Sequence, residues 1–241
     1  MRIFAILVSI FTLLSGDYYM AQVEPYQTHS VASEVGGLVK KVALNREFSH
    51  LNRRTLIVAL DTSNEDIAIS HLSKKISNLK TILKLKKENR DSKAKVRYTS
   101  KYELNKETLS LLETKQNLIS AQMELELKKN LREKKRFYFS NGYIGKIYVD
   151  EYEFVPPGKV LFDYYDIGKS RLDIYVPADE VENIKEKEIY INDTLATDWK
   201  IEKISRVKDH RRISTYQVRL VKKNREPKKI RFGEIVKVEF R

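Results

Sequence analysis

The sequence has no cysteine. It therefore forms no disulfide and offers no thiolate to a metal. Glycine and proline are scarce, eight and five among 241 residues. None of either lies between Gly37 and Gly142, so nothing there interrupts a long helix. Long apolar runs are also missing, with one exception at the start. Met1-Arg2 is followed by a nearly all-apolar Ile3 to Leu14 and by the small residues Ser15 and Gly16. Twelve residues rise only ~18 Å as a helix, short of a ~30 Å hydrocarbon core. This segment reads as a signal peptide, residues 1–16, cleaved near Gly16; an uncleaved anchor is the other reading. Acidic residues are in deficit, 33 against 46 Lys and Arg, for a net charge of +13. Such a balance predicts acidic partners. For a secreted chain these are lipid and protein surfaces rather than nucleic acid. His29, His50, His71 and His210 are scattered, without ligand spacing. No nucleophile–base motif or phosphate loop occurs. The reading is no enzyme, no metal and no cofactor.

What is present is a repeat. Gly37-Leu38-Val39-Lys40-Lys41-Val42 lines up with Gly142-Tyr143-Ile144-Gly145-Lys146-Ile147 at an offset of 105 residues. At the same offset Leu44 meets Val149, Leu56 meets Leu161 and Asp61 meets Asp166. One small β module is written in two halves, with an insertion that leaves and returns at one point. Gly37, Gly142 and Gly158 mark turns, the last within Pro156-Pro157-Gly158-Lys159.

The insertion is helical. Thr62 is a candidate cap with Glu65 three residues on. Ile69, Leu72, Ile76, Leu79 and Leu83 follow in 3-4 spacing. A second helix starts near Ser100, and Leu104, Leu111, Leu118 and Leu125 recur every seven residues. Strict sevens predict a left-handed seam, so the two helices fold back as an antiparallel coiled-coil hairpin. From Lys74 to Lys101 there are eleven basic residues against Glu88 and Asp91. The hairpin tip is therefore expected to be strongly positive.

After Asp166 the pattern changes. Leu172, Ile174 and Val176 alternate with polar residues, as do Tyr216, Val218 and Leu220, and Val236, Val238 and Phe240. This predicts a small antiparallel sheet or barrel with Trp199 in its core. Lys200 to Arg231 holds thirteen Lys or Arg against three acids, a second basic patch.

This order of parts resembles the periplasmic adaptor, or membrane fusion protein, family. Ser140 to Val149 through Gly158 and Leu161 resembles the second half of a lipoyl-like domain. Leu172 to Pro177 resembles a barrel's first strand, and Val35 to Val39 a first lipoyl half. The resemblance implies an elongated α+β fold: a split lipoyl-like β-sandwich carrying the hairpin, then a small antiparallel β-barrel. The corresponding segments are 17–61 for the N-terminal strand segment and first half, 62–134 for the hairpin, 135–168 for the second half and 169–241 for the barrel. It implies a periplasmic protein held at the inner membrane through its transporter, bridging that transporter to an outer-membrane channel. It further implies a hexameric ring and leaves an anionic membrane surface as a further partner. Adaptors often place Arg, Leu and Ser at fixed spacing at the tip. Here Ser100 and Leu104 fit the Ser end, and Lys93 stands at the Leu position. Arg90 falls one residue off the Arg position. The expected channel contacts are Arg90, Lys93, Lys95, Arg97, Ser100 and Leu104. The expected membrane- or transporter-facing patch is Arg211, Arg212, Lys228 and Lys229. Little chain is left over for a membrane-proximal domain, and the hairpin is shorter than in haemolysin-type secretion adaptors, so a resistance-nodulation-division pump is the nearer type. The alternative is a secreted coiled-coil binding or structural protein with no pump partner.

Overall fold

The computed structural model describes residues 18–96, 98, 100–209, 212, 214–227 and 230–241. The expected signal peptide, 1–16, lies outside them. The chain is α+β and divides into two units, one of Ser30–Tyr164 and one of 18–29 with Tyr165–Arg241.

It opens with β1 (Tyr18–Gln22) and β2 (Glu24–Ala32). The Ser30–Tyr164 unit then takes β3 (Gly37–Val42), a 3-10 turn at Leu44–Arg46, β4 (Ser49–Leu51) and β5 (Thr55–Leu60). Helices α1 (Ser63–Ala94) and α2 (Lys101–Lys134) follow. The chain returns through β6 (Arg136–Phe139), β7 (Gly142–Ile147), β8 (Phe154–Val155) and the start of β9 (Val160–Pro177).

The 105-residue offset is also a pairing rule. One sheet runs β6-β5-β3-β8; in the other, β2 pairs β9, β9 pairs β7 and β7 pairs β4. Shifted by the offset, β3 becomes β7, β4 becomes β8 and β5 becomes the start of β9. Each half therefore lends its short strand to the other: β3 pairs β8 through Gly37↔Val155, and β7 pairs β4 through Gly142↔Leu51. Offset partners are buried alike. Val39 and Ile144 are both 0% exposed, and so are Ile57 and Phe162. The buried pair Val42 and Ile147 lies three residues on from Val39 and Ile144, not two. In β3 a register shift between Val39 and Lys41 accounts for the spacing. The offset fails at Leu44, which sits exposed in the 3-10 turn while Val149 is buried. Twelve buried apolar residues, six from each half, make one core. Each fully buried aliphatic side chain there contributes about 1.5–3 kcal/mol.

The hairpin leaves and returns where the Leu60 N–H donates to the Lys135 carbonyl at 2.8 Å. Its seam buries Leu72, Ile76, Leu118 and Ala121, with Leu79, Leu83 and Leu125 packed partly in. A polar layer interrupts it further out. There Lys86 Nζ donates to Ser110 Oγ at 2.7 Å and to Thr114 Oγ1 at 2.8 Å. The start of α1 differs from the sequence reading. Thr62 makes no capping bond; its hydroxyl donates to Asp66 Oδ2 at 2.8 Å. Asp61 takes the role instead, accepting from the Ser63 N–H at 3.0 Å. Glu65 is then free to turn inward, where Lys135 Nζ reaches both of its oxygens at 2.8 Å.

In the second unit β9 continues into α3 (Ala178–Val181), then β10 (Ile189–Ile191), β11 (Thr194–Leu195), β12 (Trp199–Lys208), β13 (Thr215–Lys223) and β14 (Ile235–Phe240). The sheets run β1-β14-β10-β11 and β12-β13-β9. The alternating residues Leu172, Ile174, Val176, Val218, Leu220, Val236 and Val238 form the core, with Trp199 and Phe240. β1 pairs β14 antiparallel from Tyr18↔Glu239 to Gln22↔Ile235, so the N-terminal strand completes the C-terminal unit.

Candidate functional site

The turn between α1 and α2 is built from a stop and a start. Lys95 ends α1, its N–H reaching the carbonyls of Ser92 and Lys93. Ser100 begins α2 through a full capping box: the Glu103 N–H donates to Ser100 Oγ at 3.2 Å, and the Ser100 N–H to Glu103 Oε2 at 3.3 Å. The Ser100 hydroxyl is thus occupied in holding the helix. Leu104 is half-buried one turn on.

Two of the expected tip cations are paired within the hairpin. Arg90 donates twice to Asp91 Oδ1, from Nε at 3.0 Å and Nη2 at 2.5 Å. That hydrogen bonding holds the Asp91 carboxyl below its usual value. Lys93 crosses the turn to pair with Glu107. Through the same hydrogen bond the lysine is raised and the glutamate lowered. Lys95 is exposed, and Arg97 lies outside the described residues. What the tip presents besides charge is apolar: Tyr98 is 89% exposed, Tyr102 78% and Val96 59%. In the sequence Tyr98 and Tyr102 carry no pattern of their own, being isolated aromatic residues in a Lys-rich stretch.

The second expected patch is reached only at Arg212; Arg211, Lys228 and Lys229 lie outside the described residues. Arg212 stacks its guanidinium 4.0 Å over the Tyr175 ring. Nearby cations are paired: Arg219 grips Asp173 at 2.7 and 3.1 Å, and Lys222 meets Asp198 at 2.8 Å. The hydrogen bonds that Arg219 donates to Asp173 raise the arginine's pKa. The open positive charge lies instead along β12. Lys200, Lys203, Arg206 and Lys208 are all exposed there, spaced by two register irregularities in its pairing with β13.

The expected turn glycines act in three ways. A Cβ on Gly142 would sit 2.4 Å from the Tyr164 ring, and one on Gly37 would meet Leu60 Cβ at 3.3 Å. Gly158 adopts φ +84° in open space. Among the described residues no group of three or more His, Asp or Glu could hold a metal ion, and no helix is long and apolar enough to cross a membrane.

No protein-family model matches the sequence, and no curated protein does. Solved structures match over almost the whole chain. MacA from Actinobacillus actinomycetemcomitans superposes with a TM-score of 0.72 at 14% identity, covering 94% of this chain and 78% of MacA. A membrane fusion protein from Streptococcus pneumoniae gives 0.69 at 9% identity, covering 93% and 98%. The periplasmic adaptor EmrA gives 0.51 at 12% identity, covering 93% and 99%. At such identities the likeness is one of backbone, and the fold of this chain is that of the membrane fusion, or periplasmic adaptor, proteins.

Proposed function

We propose that this chain is the periplasmic adaptor of a tripartite efflux or secretion system, joining an inner-membrane transporter to an outer-membrane channel. One observation carries the reading: two offset-related halves share one core and admit a helical hairpin between them at a single point. On this reading the strands of 30–62 and 135–164 are the lipoyl-like sandwich, and 165–241 with β1 is the barrel. The role is a bridging one, without catalysis. The hairpin tip meets the channel, and Tyr98 and Tyr102 are its anchors, because large exposed aromatic residues supply contact area at little entropic cost. Arg90 and Lys93 already have partners, so their share is to shape the tip. The exposed cations of β12, with Arg211, Arg212, Lys228 and Lys229, face the transporter or an anionic inner-membrane surface.

Copies of the chain assemble laterally into a ring, for which the resemblance implies six. α2 supports this with a second apolar stripe that no other described element covers. Leu109, Leu112, Ile119, Met123 and Leu127 lie along it, each more than 40% exposed.

The test is photo-crosslinking in intact envelopes from positions 98 and 206. Capture of an outer-membrane channel from 98 and of a transporter from 206 is expected. Capture of the same partner from both sites, or of no envelope protein from either, overturns the adaptor reading. The second outcome leaves a secreted coiled-coil protein with no pump partner.

A further inference from the structure

Phe48 and Tyr152 hold a left-handed backbone, at φ +52° and φ +70°. Bulky side chains rarely adopt it, and such strain persists only where the surroundings fix it. The two positions are related by the internal repeat. β4 and β8 pair one residue out of step with the 105-residue offset, through Leu51↔Gly142 and Val155↔Gly37. Phe48 therefore corresponds to Tyr152, and Glu47 to Glu151. The fixing contacts correspond too. Glu47 Oε1 accepts from the Ile147 N–H at 3.0 Å, and Glu151 Oε1 from the Val42 N–H at 3.2 Å. Val42 and Ile147 are themselves offset partners. Both halves thus build the same brace, and each brace leaves an aromatic ring in solvent: Phe48 is 63% exposed and Tyr152 73%.

The braces lie at opposite edges of the shared core. Three residues, 52–54, link β4 to β5 in the facing sheet, and four, 156–159, link β8 to β9. Links that short set β4 across from β5 and β8 across from β9, with β3 and β7 between them. The two edges are alike in apolar surface, for Leu44 is exposed with Phe48 and Phe154 with Tyr152. They are opposite in charge. Residues 46–54 hold Arg46, Arg53 and Arg54 against Glu47, whereas 150–155 hold Asp150, Glu151 and Glu153 and no cation. Arg54 is engaged over the Tyr138 ring, and Glu153 meets Lys159 at 3.6 Å. That leaves Arg46 and Arg53 at one edge, and Asp150 and Glu151 at the other. Edges of one molecule with similar apolar centres and opposite charge complement each other on neighbouring copies. The contact is head to tail, the kind that closes a ring when its rotation allows.

We propose that these edges bind each other: the Phe48 edge of one copy of this chain docks on the Tyr152 edge of the next. The inference rests on the side-by-side assembly proposed above and adds to the α2 stripe a contact between the β bodies. It requires no transporter or channel.

The test is sedimentation velocity of the purified full chain over a range of concentrations. Phe48→Asn and Tyr152→Asn each remove one ring while suiting the left-handed backbone. Each should keep or raise the thermal midpoint and still weaken self-association by about tenfold. Arg46→Glu and Asp150→Arg should each weaken it as well, by setting like charges against one another. Mixing those two variant chains should restore it. The intact acidic edge of the first then meets the intact basic edge of the second, and the two reversed edges attract each other. Self-association unaltered in all four variants, or not restored by mixing, overturns the proposal. Leu112→Asp separates that failure from failure of the assembly itself. Association weakened by Leu112→Asp but by none of the edge variants keeps the α2 contact and removes this one. A chain that stays monomeric at every concentration removes both.

Discussion

At Gly142 a single methyl group would collide with the Tyr164 ring, which is itself fixed by its hydrogen bond to the Ser140 carbonyl and its packing on Phe139. Gly142→Ala should therefore cost about 1–3 kcal/mol through overpacking. Gly158→Ala should cost about 1–2 kcal/mol for a different reason, its left-handed backbone. Asparagine separates the two causes, because it tolerates that backbone. Gly158→Asn should recover most of the loss in urea denaturation, and Gly142→Asn should recover none. The pair Glu65 and Lys135 gives a second prediction. Both side chains are nearly buried, 9% and 12% exposed. Glu65→Ala strands a cation whose other acceptor is the Asp61 carbonyl, and should cost about 3–5 kcal/mol. Replacing both by apolar residues of similar volume should cost far less. Equal losses in the single and double variants would show that the pair adds net stability beyond mutual neutralisation.

Among the elements, α2 carries two stripes with opposite fates. Leu118 lies in the seam at 9% exposure, and Leu112 lies outside it at 51%. Leu118→Asp should lower helical circular dichroism and cost several kcal/mol, since it buries an unpaired charge. Leu112→Asp should leave helicity intact and weaken self-association in sedimentation. Loss of helicity in both, or in neither, would contradict the assigned faces. Both hairpin ends also depend on ionised carboxylates. The Ser63 hydroxyl and N–H hold Asp61 below its usual value, the Thr62 hydroxyl holds Asp66 there, and Lys93 does the same to Glu107. Lowered values mean stability that is full above the ordinary carboxylate pKa of ~4 and lost as pH falls through the folded values. The hairpin should fray only below about pH 4 and stay constant between 5 and 8. The seam and the start of α2 near Ser100 were legible in the sequence because both are local patterns. The choice of Asp61 over Thr62 was not, since either residue type can cap. The pairing of Lys93 with Glu107 was hidden because it needs the turn to close first. The pairing of β1 with β14 had no signal at all, because its partners stand at opposite ends of the chain.

For the molecule as a whole, the chain crosses from β5 to β6 through roughly 75 residues whose ends meet at the hydrogen bond from the Leu60 N–H to the Lys135 carbonyl. The hairpin should therefore be removable. Replacing 62–134 with a short glycine-serine linker should leave a chain in which β5 still pairs β6 and both halves share their core. A cooperative thermal transition and dispersed amide signals would show this, and their absence would mean that the arm is part of the body. The same meeting point governs the order of folding. Joining the two halves across a flexible connection of that length costs about 4 kcal/mol of loop-closure entropy. A hairpin that zips first, on local contacts, brings its own ends together and removes most of that cost before any strand of one half finds the other. The arm then acts on folding as a clasp. Leu118→Asp should slow refolding of a β body that it does not touch while leaving the unfolding rate of that body nearly unchanged, and the linker variant should fold fast without any helix.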